Sequence, residues 1–349
     1  MRILLGAASL VIVVAGLRAG ASLLIPLVFA FFLAILFYPS VQELQRRRVP
    51  AFLAVGLTVL AVFALLTGPG LLIVAAVRQF ISAVPAYQVR LDQMRGQALE
   101  SVLERLPGSW RPQDLALDAL LPGYFTFAGA FDLVVNALSG VVTLLSVGFL
   151  VVFVTAFMLL EGATRARRNA GIGRGAENVV RIIREMQIYL QVKTLASLAT
   201  GIAAGLWVGL LGVDFPLLWG LLAFLLNFIP NLGSIVAALP PALVALIQFG
   251  PAAMGLVLAG YVGINALFGT VMEPLLLGRQ LRVSPLAVLL SVIIWGWIWG
   301  LAGALLAMPI TMTLKIVFEQ SKDLEWIARL IEGARIGPPR PSGTTPQAS

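Results

Sequence analysis

Five runs without a charged side chain decide most of what this chain can fold into: Ile3 to Leu17, Ala19 to Gln42, Val49 to Val77, Leu133 to Leu160, and Val283 to Leu314. A helix needs about 20 apolar residues to cross a bilayer core, and every run but the first exceeds that length. From Tyr189 to Thr270 the only charged residues are Lys193 and Asp214, so several more segments lie there, divided by Pro216, Pro230, Pro240, Pro241 and Pro251. With 60% apolar and 11% charged residues, the chain reads as an all-α multi-pass membrane protein.

Arg2, the first apolar run and Ala19-Gly20-Ala21 imitate a secretory signal. A second apolar segment follows at once with no polar domain between, so a short helical hairpin, Ile3 to Leu17 and Ser22 to Tyr38, is the better reading. Orientation comes from Lys and Arg near segment ends. Arg46, Arg47 and Arg48 place the loop near 43–50 in the cytoplasm, and Arg165, Arg167, Arg168, Arg174, Arg181 and Arg184 do the same two crossings later. Arg78 to Asp132 carries nearly balanced charge and belongs outside. The net charge of +8 is therefore a topology signal. A nucleic-acid partner is not expected, because the arginines flank membrane segments without interleaved aromatics.

The resulting order is transmembrane helices 1–3 in 1–75, an extracytoplasmic helical insert in 76–135, transmembrane helix 4 in 136–160, and a cytoplasmic linker helix in 161–188. A transport region fills 189–320, and a cytoplasmic tail in 321–349 is expected to be disordered after 337. Both termini fall in the cytoplasm. Leu91, Met94, Ala98, Val102 and Leu106 make an amphipathic stripe in the insert, and Val179, Ile182, Ile183, Met186 and Leu190 make one in the linker.

Two segments are too long and broken in the middle. Residues 217–247 would extend about 46 Å as one helix, against a hydrocarbon core of about 30 Å. Their centre, Asn227-Phe228-Ile229-Pro230-Asn231-Leu232-Gly233-Ser234, combines a proline, a glycine and three small polar side chains. Residues 283–318 repeat the design: Ser284-Pro285 opens an arm, Trp295 to Gly303 forms a glycine-rich middle, and Met308-Pro309 precedes a second arm. Paired Gly/Pro-interrupted apolar segments point to a transporter binding site. Treated as re-entrant hairpins, they give about six full crossings and keep Arg279 and Arg282 in the cytoplasm. Gly201, Gly205 and Gly209 form GxxxG steps that predict close helix packing.

Histidine and cysteine are both absent, which removes thiolate nucleophiles, imidazole bases, disulfides and zinc sites with those ligands. No P-loop, GxSxG or paired aspartates replace them, so no enzyme activity, cofactor or metal is expected. Asn227, Asn231 and Ser234, with carbonyls freed by Pro230, suit a small polyhydroxylated ligand or a dehydrated cation, or else cap the broken helix ends. Glu273 is the only carboxylate between Asp214 and Glu319. It is either a proton or cation ligand or the partner of Arg279 or Arg282. Asn265, two helical turns earlier, continues its face. Asp214 reads as a helix cap, and Lys193 as a side chain snorkelling to the interface.

LLNFIPNLGSIVAALPPALVAL, from Leu225 to Leu246, and VMEPLLLGRQLRVSPLAVLLSVIIWGWIWGLAGALLAMPI, from Val271 to Ile310, resemble the autoinducer-two exporter family of bacterial inner-membrane proteins. The element order over residues 3–320 fits as well, including YPSVQELQRR after the second span. The resemblance implies a homopentamer whose protomers transport independently, with two hairpins that form the substrate site and move like an elevator. It implies either export of autoinducer-two or sodium or lithium/proton antiport. The expected substrate-binding set is Asn227, Pro230, Asn231, Gly233, Ser234, Asn265, Glu273, Trp295, Gly296, Trp299, Gly300 and Gly303, and the expected partners are membrane lipid and a small polar substrate or monovalent cation. The tryptophan-rich second tip, Trp295, Trp297 and Trp299, is where this chain stands apart.

Overall fold

The computed structural model describes residues 2–103, 135–136, 138–143, 147–168, 174–230, 232–277, 283–319 and 325–332. Among them every regular element is a helix, as a lipid environment requires: a helix satisfies its backbone donors and acceptors within one segment. In chain order these are α1 (Arg2–Ala19), α2 (Ala21–Arg46), α3 (Ala51–Leu103), α4 (Gly148–Arg168), α5 (Arg174–Leu210), α6 (Pro216–Leu226), α7 (Leu232–Phe249) and α8 (Pro251–Asn265). A π-helical segment (Ala266–Met272), α9 (Glu273–Leu277), α10 (Pro285–Glu319) and α11 (Glu325–Glu332) follow.

Six helices among the described residues are long and apolar enough to cross a membrane: Ala21–Arg46, Ala51–Arg90, Ile183–Leu210, Leu232–Phe249, Pro251–Met272 and Pro285–Glu319. These six, picked out by length and composition, are not the six crossings expected from the sequence. Two of them belong to the broken segments, whereas the apolar part of α4, Gly148–Thr164, is shorter.

The expected turn between the first two helices is absent. Gly20 alone separates α1 from α2, and its amide donates to Gly16 O while the Leu24 amide donates to Gly20 O, both at 2.9 Å. The helical ladder therefore runs through a bend, because this stretch holds one glycine and no proline to reverse the chain. α3 is also longer than expected. Its 53 residues extend about 80 Å, so the third span continues directly into the insert region. Residues 91–103 are helical, as their periodicity requires, while Leu106 and the rest of the insert to residue 134 lie outside the described residues. In the same way α5 joins the linker helix and the following span without a break. The tail after 337 also lies outside the described residues.

One stripe of α3, Ile73, Val77, Phe80, Val84 and Tyr87, faces the main core in steps of four and three. There it meets Ala204 and Val208 of α5, Leu218, Trp219 and Leu222 of α6, and Ala237, Val244 and Ala245 of α7. Trp219 is completely buried and stands edge-on to Phe80 at 5.1 Å. A second core joins α2, α5 and α10 through Phe32, Met186, Leu306 and Met312. A third joins α2, α3 and α4 through Val41, Val55, Leu159 and Ala163. Phe52, Phe149, Leu210 and Val262 remain exposed on outward faces, which suits lipid and not water.

Both overlong segments fold back on themselves. α6 stops at Leu226, and the Ile229 amide donates to Leu226 O at 2.8 Å, tightening the last turn before α7 begins. A Cβ on Gly233 would overlap the Leu226 carbonyl, so glycine sets how closely the two arms start. In α10 the helical geometry fails at Trp299 (φ −122°, ψ 15°) and Gly300 (φ 61°, ψ −142°). The positive φ is accessible to glycine without strain, and the chain reverses there. Ser291 Oγ donates to Ala307 O at 3.0 Å and shares a short hydrogen bond with Thr311 Oγ1, which holds the arms side by side. The second arm thus starts at Leu301, not after Pro309. That proline lies buried inside the arm, because Gly300 has already made the turn.

Candidate functional site

The polar groups are positioned by α5. Tyr189, Lys193, Ser197 and Thr200 recur in steps of four, four and three, share one face, and are all buried. Lys193 is only 4% exposed, and its Nζ donates to both carboxylate oxygens of Glu273, at 3.0 and 2.8 Å. Two expectations are corrected here. Lys193 does not snorkel, since its ammonium group is already paired inside the protein; and Glu273 meets Lys193, while Arg279 and Arg282 lie outside the described residues. A cation held this deep is tolerated only with a partner and geometry of this quality.

One helical turn along α5, Ser197 lies midway through the 28-residue apolar stretch Ile183–Leu210. Asn227, at the end of α6, is 6% exposed and donates from Nδ2 to Ser197 Oγ at 3.0 Å. Its side chain therefore ties the first hairpin to α5 and does not cap a broken helix end. Pro230 and Ser234 are half-buried at the same tip and Gly233 is buried, while Asn231 lies outside the described residues. The GxxxG face supports this placement. A Cβ on Gly201 would come within 2.7 Å of both Gly220 O and Phe224 Cβ, so α6 lies almost backbone to backbone on α5.

Asn265 ends α8, and the π-helical segment Ala266–Met272 carries the chain from it to Glu273. A π-helical segment, and not regular α-helix, thus separates Asn265 from Glu273. The Asn265 amide lies over Gly269, where a Cβ would come within 2.9 Å of its Oδ1.

The second tip belongs to different surroundings. Trp299 is buried and its indole N–H donates to Leu17 O of α1 at 2.9 Å. Trp297 is exposed and carries the Arg18 guanidinium 5.2 Å above its ring. Trp295 packs on Trp299 with ring centres 5.2 Å apart. Gly296 is half-buried, Gly300 exposed and Gly303 buried, and a Cβ on Gly303 would overlap the Trp295 carbonyl. Asp214 is no helix cap either: its carboxylate accepts from the Tyr87 hydroxyl at 2.6 Å, and its carbonyl accepts from the Trp219 indole at 2.7 Å.

The structure therefore gathers Asn227 and Glu273 around α5 and takes Trp297 and Trp299 to α1. Tyr189, Ser197, Thr200 and Tyr261 enter the picture only now. The first three were marked in the sequence by their helical spacing around Lys193, the one charge in that span; nothing marked Tyr261.

The chain matches the AI-2E family transporter profile from residue 7 to residue 323. It is 36% identical over 339 residues to the AI-2 transport protein TqsA of Escherichia coli K12, an alignment covering 95% of each chain. It is 33% identical over 343 residues to a candidate transport protein of Haemophilus influenzae, covering 95% of this chain and 96% of that one. It is likewise 33% identical over 352 residues to the candidate transport protein YhhT of E. coli K12, covering 99% and 97%. The broken-helix motifs, the apolar helices and these alignments agree: the chain belongs to the AI-2E family of transporters.

Proposed function

We propose that the protein is a secondary transporter that exports a small polar metabolite of the AI-2 type across the bacterial cytoplasmic (inner) membrane. The observation that carries this reading is the contact between Asn227 and Ser197, where a broken helix meets the middle of a span one turn from a charge-neutral pair. Backbone freed by such a break is tolerated at membrane depth only inside protein or beside a wet cavity, so it marks a place where polar cargo is handled. With Lys193 and Glu273 cancelling one another, the site offers amides and hydroxyls without net charge, which suits an uncharged polar solute.

In this reading both broken segments are re-entrant, the first from outside and the second from the cytoplasm, and the termini are cytoplasmic. The hairpins move like an elevator, with the glycine seam between α5 and α6 giving a smooth face for sliding. The outward apolar faces are shared between lipid and neighbouring copies in a homopentamer. No covalent step is involved. A second reading, sodium or lithium/proton antiport, is supported by Glu273 alone: a buried carboxylate that leaves Lys193 can take a proton or a cation.

One assay separates the two. In proteoliposomes holding wild type, Asn227→Ala or Glu273→Gln, AI-2 flux is measured beside sodium-driven pH change. AI-2 flux lost in Asn227→Ala, without a sodium-dependent pH change in wild type, is expected. A sodium-dependent pH change abolished by Glu273→Gln would overturn export in favour of antiport. Topology has its own test in a chain without native cysteine: a cysteine placed at Arg279 is expected to react only from the cytoplasmic side.

A further inference from the structure

Five helix threonines in this protein behave alike. Thr58, Thr143, Thr155, Thr164 and Thr313 each donate from Oγ1 to the carbonyl four residues earlier, at 2.7 to 3.0 Å. Thr200 is buried in α5 and makes no such bond: its hydroxyl has no partner. Tyr261 of α8 is buried as well, and its hydroxyl also lacks one, whereas Tyr38 and Tyr87 both find acceptors. The third such atom among the described residues is Gln45 Nε2, far along the chain at the end of α2. Leaving a buried hydroxyl unpaired is destabilising, so two on neighbouring helices call for a reason.

Their placement supplies it. α5 and α8 run antiparallel, pinned at one end by the Trp207 indole donating to Leu256 O at 3.1 Å and at the other by Lys193 on Glu273. At about 100° per residue, Thr200 falls on the α5 wheel between Lys193 and Trp207, the two residues that reach this partner, and midway between them in height. The level opposite is the end of α8, where Asn265 follows Tyr261 by one helical turn. Thr200 thus faces the end of α8 that carries Tyr261 and Asn265, one turn along α5 from Ser197 and close to the start of the π-helical segment.

We infer that the seam between α5 and α8 is the binding site for a small, uncharged, polyhydroxylated molecule, with the Thr200 and Tyr261 hydroxyls as two of its hydrogen-bonding groups. The inference rests on the export reading above and adds these two side chains and the ligand class. Hydroxyls both donate and accept, as does the Asn265 amide, and the neighbouring ion pair adds no net charge; a polyol or hydroxyketone matches all three.

The test uses the sign of the stability change. Thr200→Val and Tyr261→Phe remove only an unpaired hydroxyl, so a purely structural role predicts equal or higher melting temperature and no functional change. The full-length wild type and both variants are purified and melted with and without saturating ribitol, a five-carbon polyol, and assayed for AI-2 half-saturation in proteoliposomes. Expected are ribitol protection of wild type, loss of most of it in each variant at undiminished intrinsic melting temperature, and an approximately tenfold rise in half-saturation. No ribitol protection of wild type, equal protection of all three proteins, or variants that melt well below wild type would each overturn the site. Protection lost in the variants while wild type fails to move AI-2 would overturn the export reading alone.

Discussion

The two hairpins share a geometry and differ in everything around it. Each reverses a long apolar segment at mid-length, and each starts its second arm with a glycine pressed on a carbonyl of the first, Gly233 on Leu226 and Gly303 on Trp295. The first tip is polar and docks on α5, through Asn227 on Ser197 beside Lys193 and Glu273. The second tip is aromatic and docks on α1, through Trp299 on Leu17 and Trp297 under Arg18. A repeated backbone device thus sits in two settings: one hairpin docks a polar tip on α5, and the other docks an aromatic tip on α1.

The shared part is where the largest effect lies. Gly233→Val and Gly303→Val each force a side chain into backbone that cannot yield, and each is expected to cost beyond about 5 kcal/mol, read as loss of monodisperse protein in detergent. Tolerance at either position would break the equivalence. Next comes the ion pair of Lys193 and Glu273, one helical turn along α5 from the Asn227–Ser197 contact. Lys193→Met strands a buried carboxylate at a cost of about 3–5 kcal/mol in unfolding experiments, and the double change Lys193→Met with Glu273→Leu is expected to recover most of it without recovering transport. Ser197→Ala, which leaves the Asn227 amide without its acceptor, is expected to cost about 1–2 kcal/mol and to slow AI-2 flux more than it lowers melting temperature. Smallest is Trp299→Phe: about 1 kcal/mol from one lost hydrogen bond, seen as faster proteolysis within α1 while the half-saturation for AI-2 stays unchanged. A large change in half-saturation there would erase the contrast between the tips.

Much of this was legible in the sequence, and the rest failed for identifiable reasons. Pro230 with Gly233, and Gly300 among the tryptophans, mark the breaks because local chemistry alone forces them. Gly201, Gly205 and Gly209 announced their packing by spacing, although not that their partner would be the first hairpin. Pairings between distant positions left no local trace. Lys193 and Glu273 are 80 residues apart and Tyr87 and Asp214 are 127 apart, so Lys193 was read as snorkelling and Asp214 as a cap, and neither reading held. The turn expected near Gly20 and the second arm expected after Pro309 erred in a different way. A single glycine was read as a reversal where the hydrogen-bond ladder continues, and a buried proline as a boundary where Gly300 had already turned the chain.

The closed pair of Lys193 and Glu273 also bears on how the protein responds to voltage. Carrying one elementary charge through the membrane potential involves about 2.3 kcal/mol of electrical work per 100 mV. Two opposite charges 2.8 Å apart that travel together involve almost none. As long as the pair stays closed while an uncharged solute is carried, the transport cycle is electrically silent, and the cargo gradient sets its direction at any membrane potential.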